Sequence, residues 1–335
     1  MTLRMRKRKG VQIKMETNKE KIVLKTFKDA NRIYNHDNCS AYIYVGPSGD
    51  KQINELIDIV YFEKDHLVPY HYTARGAETL LILKGLIEVT LYGKTCVCEE
   101  GDIISIPSDC PYSLKTLEEG CHVRGVYTGL DMSSKYKDLE LIDNGAFSVF
   151  ERADHIEKEF WPAHNHIELA EPACTEAVNK TALPQISARS SSIYKYDGWA
   201  GISCELKVGR WNLKRIKEIW QFTIDNGYQL QYYKPCPNER IYSVKSGKIK
   251  VNADGEVFCA EEKDIIHIPP YTPFALTAVG EKSEIYDLNV SSRLFRMLEI
   301  LELAQRDEPE KLEDPVWLEW LIGFNDCYLT GFVKR

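Results

Sequence analysis

Glu78-Thr-Leu-Leu-Ile-Leu-Lys-Gly85-Leu-Ile-Glu-Val89 is answered 162 residues later by Arg240-Ile-Tyr-Ser-Val-Lys-Ser-Gly247-Lys-Ile-Lys-Val251. The match continues outward at the same offset. Glu99-Glu-Gly-Asp102-Ile-Ile-Ser-Ile-Pro107 lies over Glu261-Glu-Lys-Asp264-Ile-Ile-His-Ile-Pro269, and Pro111 lies over Pro273. Solenoid units recur roughly every 20–50 residues, so a period this long marks two copies of a whole domain. Residues that build a scaffold are shared by the copies, and residues able to do chemistry differ between them.

The repeated segments read as β-structure. Ile57-Asp-Ile-Val-Tyr-Phe62 and Ile219-Trp-Gln-Phe-Thr-Ile224 are rich in the β-branched and aromatic residues that strands favour. Leu86-Ile-Glu-Val-Thr-Leu-Tyr-Gly93 and Lys248-Ile-Lys-Val-Asn-Ala-Asp-Gly255 alternate and then turn. Asp254-Gly255 is a hairpin signal, because glycine supplies the positive φ of a tight β-turn. Pro107 and Pro269 close the next strand, since proline cannot donate to a ladder. Many short strands with regular turns predict an all-β chain of sandwich or barrel type. After Ser133-Ser134 the pattern predicts a helix over Lys135 to Leu141, and after Ser291-Ser292 one over Arg293 to Arg306, with a serine as N-cap. Pro315 to Phe324 reads as a short C-terminal helix that packs on a barrel or on a partner subunit through Trp317, Trp320, Leu321 and Phe324.

The expected organisation is a disordered basic extension over 1–19, a first barrel over 20–150, and a linker with the start of the second domain over 151–190. A second barrel over 191–290 and C-terminal helices over 291–335 complete it. With 335 residues the chain is long enough for two cores. Its 44% hydrophobic and 28% charged content is that of a globular protein. A net charge of -7 argues against nucleic-acid and anionic-membrane partners, which require a concentrated basic face. No apolar run reaches the length of a membrane span. Ten cysteines without a signal-peptide pattern predict reduced thiols and a cytoplasmic location. Arg4, Arg6, Lys7, Arg8, Lys9 and Lys14 form the basic run, read as a solvated tail, with Met15 as a candidate start.

His71-Tyr-Thr-Ala-Arg-Gly-Ala-Glu78 with Gly85, followed by Gly101-Asp-Ile-Ile-Ser-Ile-Pro107 with Pro111-Tyr112, resembles the two motifs of the cupin superfamily. The resemblance spans residues 50–130 and, in the second copy, 212–290. It implies a bicupin: two cupin-type antiparallel jelly-roll barrels in tandem, each with a pocket in its mouth and a dimer as the default assembly. It also implies a metal held by two histidines and a glutamate from the first motif and a histidine from the second. At those positions copy one offers His71, Thr73, Glu78 and Tyr112, and copy two offers Tyr233, Pro235, Arg240 and Phe274.

His71 and Glu78 therefore stand as candidate metal ligands for iron, manganese, nickel or zinc, and the cofactor expectation is none or one divalent ion in barrel one. The same residues support a metal-free reading, in which His71 is a base, Glu78 orients it and Tyr112 is an acid. Some cupin sugar epimerases resemble this arrangement, working without metal from a histidine base and a tyrosine acid. Thr73 and Arg75 are candidate substrate contacts, and His122 would join the site if it points inward. Arg240, among aromatics in copy two, would suit an anionic ligand. His66 reads as a rim residue and His267 as a core hydrogen-bonding residue. His164-Asn-His166 with Glu171 imitates the ligand spacing, but Pro172 and a polar stretch follow, so the segment is read as a strandless linker. The leading expectation is an isomerase, epimerase or lyase-type enzyme that moves protons on a small polar or aromatic molecule in barrel one. The alternatives are a metal-dependent dioxygenase with a reduced ligand set, and a non-catalytic ligand-binding or structural bicupin.

Overall fold

The computed structural model describes residues 23–25, 29–36, 38–46, 54–74, 76–144, 167–169, 184–209, 218–231, 239–290 and 293–324. The first copy runs β1 (Val23–Lys25), β2 (Arg32–His36), β3 (Cys39–Val45), β4 (Asn54–Tyr61), β5 (Leu67–Thr73) and β6 (Ala77–Lys84). It continues with β7 (Ile87–Leu91), β8 (Lys94–Cys98), β9 (Ile103–Ile106), β10 (Tyr112–Thr116), β11 (Cys121–Thr128) and helix α1 (Met132–Asp143). Then come β12 (Ile167–Leu169), β13 (Gln185–Ser187), β14 (Tyr194–Trp199), β15 (Ile202–Val208), β16 (Glu218–Ile224) and β17 (Gln229–Gln231). The chain closes with β18 (Arg240–Ser246), β19 (Ile249–Ala253), β20 (Glu256–Ala260), β21 (Ile265–Ile268), β22 (Phe274–Ala278), β23 (Ser283–Val290), α2 (Leu294–Asp307) and α3 (Pro315–Phe324).

Each strand from β7 to β11 begins and ends 162 residues before its counterpart from β19 to β23, and α1 and α2 start at the same offset. Every copy is an antiparallel two-sheet barrel. In the first, the order β13-β9-β6-β11-β4-β3-β2 faces β12-β5-β10-β7-β8; in the second, β1-β21-β18-β23-β16-β15-β14 faces β17-β22-β19-β20. The glycines shared by the repeat have a steric reason. Gly85 and Gly247 turn at φ +88 and +79, and a Cβ on Gly85 would stand 2.6 Å from Cys121 Sγ.

Three apolar clusters organise the molecule. One fills each barrel, and the third joins them, with Tyr44, Leu81 and Val126 of the first copy meeting Ile219, Ile241 and Leu288 of the second. Strand β4 is accordingly buried on both faces along most of its length. The barrels also exchange edge strands. β1 pairs with β21 of the second barrel through Val23 opposite His267, and β13 pairs with β9 of the first through Ser187 opposite Ile103. The segment between the copies is not strandless, as β12 pairs with β5 and sets Leu169 opposite His71. His164 and His166 themselves lie outside the described residues, as do the basic extension and Met15.

Helix α1 starts three residues earlier than expected because Asp131 and Glu55 accept its first amides. Ser134 N–H donates to Asp131 Oδ1 at 3.1 Å, and Met132 N–H and Ser133 N–H donate to Glu55 Oε2 at 2.6 and 3.1 Å. The N-cap of α2 is Arg293 rather than a serine, and it makes no side-chain cap bond; Glu218 Oε2 accepts from Phe295 N–H at 3.1 Å. In α3, Leu318 and Leu321 are buried and Trp317 packs against the second core, whereas Trp320 and Phe324 stack on each other at the surface. Among the described residues no helix is long and apolar enough to cross a membrane.

Candidate functional site

Alternation along a strand sends every second side chain inward, and in barrel one it brings three predicted residues together. His71 on β5 and Tyr112 on β10 are cross-strand partners whose ring centroids lie 4.4 Å apart. Glu78 comes from β6 in the opposite sheet, and Tyr112 Oη donates to its Oε2 at 2.5 Å, joining the two sheets across the barrel. Thr73 is buried on the same strand as His71. Its hydroxyl and Glu78 Oε1 form no hydrogen bond of full geometry, although Thr73 is close enough to lower the Glu78 pKa.

The pairing differs from the expected one. Glu78 does not orient His71. His71 Nδ1–H donates to the Pro69 carbonyl at 2.7 Å, which leaves Nε2 as the unprotonated acceptor. Burial, and then the charge of Lys135, lowers the His71 pKa to about 3, against the Pro69 bond. The imidazole is therefore neutral at pH 7. Burial raises the Glu78 carboxyl above its ordinary value, against Tyr112, Lys135 and Thr73, which pull it down. The Tyr112 phenol is pushed well above its usual value, by burial first and then by Glu78.

Lys135 was absent from the expected site. The first turns of α1 carry Met132, Lys135 and Tyr136 into the cavity that His71, Glu78 and Tyr112 line. Its volume is about 20 Å³, room for little more than one water. Comparing the copies would have exposed the lysine, since Lys135 lies over Met297 in the repeat. Tyr127, also on the cavity wall, packs its ring where a Cβ on Gly125 would come within 2.4 Å.

The remaining candidates sit elsewhere. Val123 lines the cavity, so its neighbour His122 points to the other face of β11, where Nε2 meets Asp58 Oδ2 at 2.9 Å. Arg240 is buried in barrel two beside the Tyr242 ring, and its guanidinium pairs with Asp287, a partner from its own chain in place of the anionic ligand expected. His267 Nε2 lies 3.0 Å from Glu239 Oε2 in a buried contact. Arg75, Tyr233 and Pro235 fall outside the described residues.

A divalent metal fits this cavity poorly. His71 and Glu78 are two strong ligands, Thr73 is a weak one, and the Tyr112 phenol keeps its proton and donates a hydrogen bond to Glu78. Lys135 adds a like charge to the same cavity. Among the described residues, no three histidine, cysteine, aspartate or glutamate side chains converge as a metal-binding group.

No protein-family model matches the chain, and no curated protein does. Solved structures do. One mutant of Bacillus subtilis oxalate decarboxylase superposes with a TM-score of 0.50 at 16% identity, covering 79% of this chain and 76% of that one. A second mutant of the same enzyme does so at 0.50 and 15%, covering 85% and 83%. The chain has the bicupin fold.

Proposed function

We propose, from the bicupin fold as premise, that barrel one holds a small molecule and moves a proton on it without a metal. The observation that carries this reading is the convergence of Glu78, Tyr112, His71 and Lys135 on one cavity. Four polar side chains are costly to bury in an apolar barrel, and barrel two takes Phe274 and Met297 where barrel one has Tyr112 and Lys135. A site with perturbed carboxyl and imidazole groups is where acid–base chemistry is found.

The roles follow from the geometry. Glu78 is the proton-exchanging group, because burial brings its carboxyl closer to the pH at which it can both take and give a proton. Tyr112 holds Glu78 Oε2 and leaves Oε1 for the reacting atom. His71 is too weakly basic to take a proton unaided at neutral pH, so its Nε2 serves as a hydrogen-bond acceptor that orients a substrate hydroxyl. Isomerisation next to a carbonyl needs such a group and a polarising donor, and epimerisation needs in addition a proton delivered to the opposite face of the carbon. A lyase-type elimination needs the same first step.

Deuterium incorporation tests the reading. The full chain, incubated in D2O with a panel of small keto acids, aldoses and ketoses, is expected to exchange a carbon-bound proton of one compound, read by NMR. Glu78→Gln should abolish the exchange. Exchange that survives in this variant would remove Glu78 from the chemistry. The small cavity favours a second reading, a bicupin whose first barrel is closed by Met132, Lys135 and Tyr136 and serves binding or structure alone. Absence of exchange and of ligand binding across the panel would support it.

A further inference from the structure

Proton transfer beside a carbonyl needs a donor for the carbonyl oxygen, and the single O–H of Tyr112 is already given to Glu78 Oε2. Tyr127 stands next to the same carboxylate. It is the cross-strand partner of Glu78 between β11 and β6, and it lines the same cavity. Val123 and Tyr127 both line that cavity, so Gly125 between them lies on the inward face of β11. The Tyr127 ring folds back over this glycine. A Cβ on Gly125 would stand 2.4 Å from Tyr127 Cε2 and 2.5 Å from its Cζ and Oη. Leu80, opposite Gly125 on β6, is a cavity residue too, which sets the hydroxyl end of the ring on the cavity side of the sheet. Among the described residues this hydroxyl makes no hydrogen bond. Burial first, and then the charge of Glu78, pushes the phenol well above its usual value, so it keeps its proton. Barrel two settles the same three positions differently. Arg240, Asp287 and Asn289 stand where barrel one has Glu78, Gly125 and Tyr127, and Arg240 and Asp287 neutralise each other as a buried ion pair. Barrel one gives up the side chain at Gly125 and seats a phenol there, although burying an unbonded hydroxyl is costly.

We propose that Tyr127 is the polarising donor of barrel one, a catalytic residue whose hydroxyl, seated over Gly125, holds the carbonyl oxygen of a small aldehyde, ketone or keto acid. The proposal rests on the reading of barrel one as a proton-transfer site and adds the group that this reading needs. The carbon–hydrogen bond next to the carbonyl breaks, and its proton passes to Glu78 Oε1. The electron pair moves onto the carbonyl oxygen, which the Tyr127 O–H stabilises by a hydrogen bond. Return of the proton to carbon restores both side chains. The void takes about one oxygen-sized group, which the carbonyl oxygen fills. The rest of the substrate displaces the Met132 or Tyr136 side chain.

Deuterium exchange on the same panel of keto acids, aldoses and ketoses is measured for the full chain carrying Tyr127→Phe, Gly125→Ala or Tyr61→Phe. Tyr127→Phe should slow the exchange about 100-fold, in kcat more than in KM, because one lost oxyanion donor costs about that much. Its urea midpoint should equal or exceed that of the wild type, since no hydrogen bond of the fold goes with the hydroxyl. Gly125→Ala keeps the hydroxyl but pushes the ring off its seat, and should slow the exchange as well. Tyr61→Phe removes another phenol of the cavity wall and should exchange at the wild-type rate. Full exchange in Tyr127→Phe overturns the proposal and leaves Glu78 as the proton carrier. A lowered urea midpoint in that variant overturns it too, because the hydroxyl then serves the fold. So does an equal loss in Tyr61→Phe, which would make the effect one of any cavity hydroxyl. Exchange lost in Tyr127→Phe but retained in Glu78→Gln would keep the donor and assign the proton to another group. No exchange by the wild type overturns the donor and the proton-transfer reading together.

Discussion

A single ammonium shapes the titration of its neighbours in barrel one. Lys135 adds to burial in lowering the His71 pKa to about 3. Removing a cation favours the protonated imidazole, so Lys135→Met should move the His71 titration upward, a shift measurable by NMR. An unmoved titration would mean that burial alone sets the value. The Tyr112–Glu78 bond permits a second test. Tyr112→Phe leaves Glu78 Oε2 buried without its donor, and such losses cost about 1–3 kcal/mol. Urea unfolding should show that decrease, and the Glu78 pKa should rise further, because a bond that lowers it is gone. Unaltered stability would argue that the bond does not form in solution. The meeting of His71, Glu78 and Tyr112 was legible in the sequence because strand alternation and motif spacing place them on inward faces. Lys135 was not legible by that logic. It lies beyond the motifs, on a helix where lysine ordinarily marks the solvent face, and burial depends on how the helix enters the barrel.

At the scale of elements, the start of α1 is held by Asp131 and, from across the barrel, by Glu55. Glu55 on β4 accepts two α1 amides and the Ser133 hydroxyl, the last at 2.7 Å. Burial raises its pKa from 4.5 to about 7, against these bonds. The folded state thus holds the Glu55 proton more tightly than the unfolded chain. Its contribution to stability is full below pH 4.5 and is lost as the pH rises toward about 7, by at most about 1.4 kcal/mol per pH unit. His71 acts in the opposite sense between about 3 and 6.5, where the unfolded chain binds more protons. The difference between wild type and Glu55→Gln isolates the first term. The wild type should lose stability relative to the variant between pH 4.5 and 7, and parallel pH profiles would rule out the shifted carboxyl. The strands themselves were legible from alternation, turn glycines and closing prolines, and the constant offset between β7–β11 and β19–β23 is the sequence repeat in three dimensions. The start of α1 was not, because beside Asp131 its second anchor comes from a strand 77 residues earlier.

Across the whole molecule, one arginine ties the barrels together. Arg124 on β11 holds both Asp58 oxygens at 2.8 Å, reaches the Ser243 hydroxyl at 2.6 Å, and donates to the Lys263 carbonyl at 2.9 Å in the second barrel. Burial alone would raise the Asp58 carboxyl, but Arg124 and His122 hold it below its ordinary value. Sequence reading recovered two barrels and not this junction, since an arginine, an aspartate and a histidine spread over a copy give no sign that they face its twin. The ion pair is fully buried, and removing one member of such a pair strands the other's charge at a cost of about 3–5 kcal/mol. Arg124→Ala should therefore lower the unfolding free energy by that amount, and do so at the interface. The six tryptophans all lie beyond residue 150, so tryptophan fluorescence follows the second half of the chain while far-UV circular dichroism follows both. In the wild type the two probes should trace one urea transition, because the shared core couples the barrels. In Arg124→Ala they should separate. A double replacement, Arg124→Met with Asp58→Leu, leaves no stranded charge and should recover most of the loss with the transitions rejoined. Coincident transitions in the single variant would show that the apolar cluster alone couples the barrels and that Arg124 serves only to neutralise Asp58.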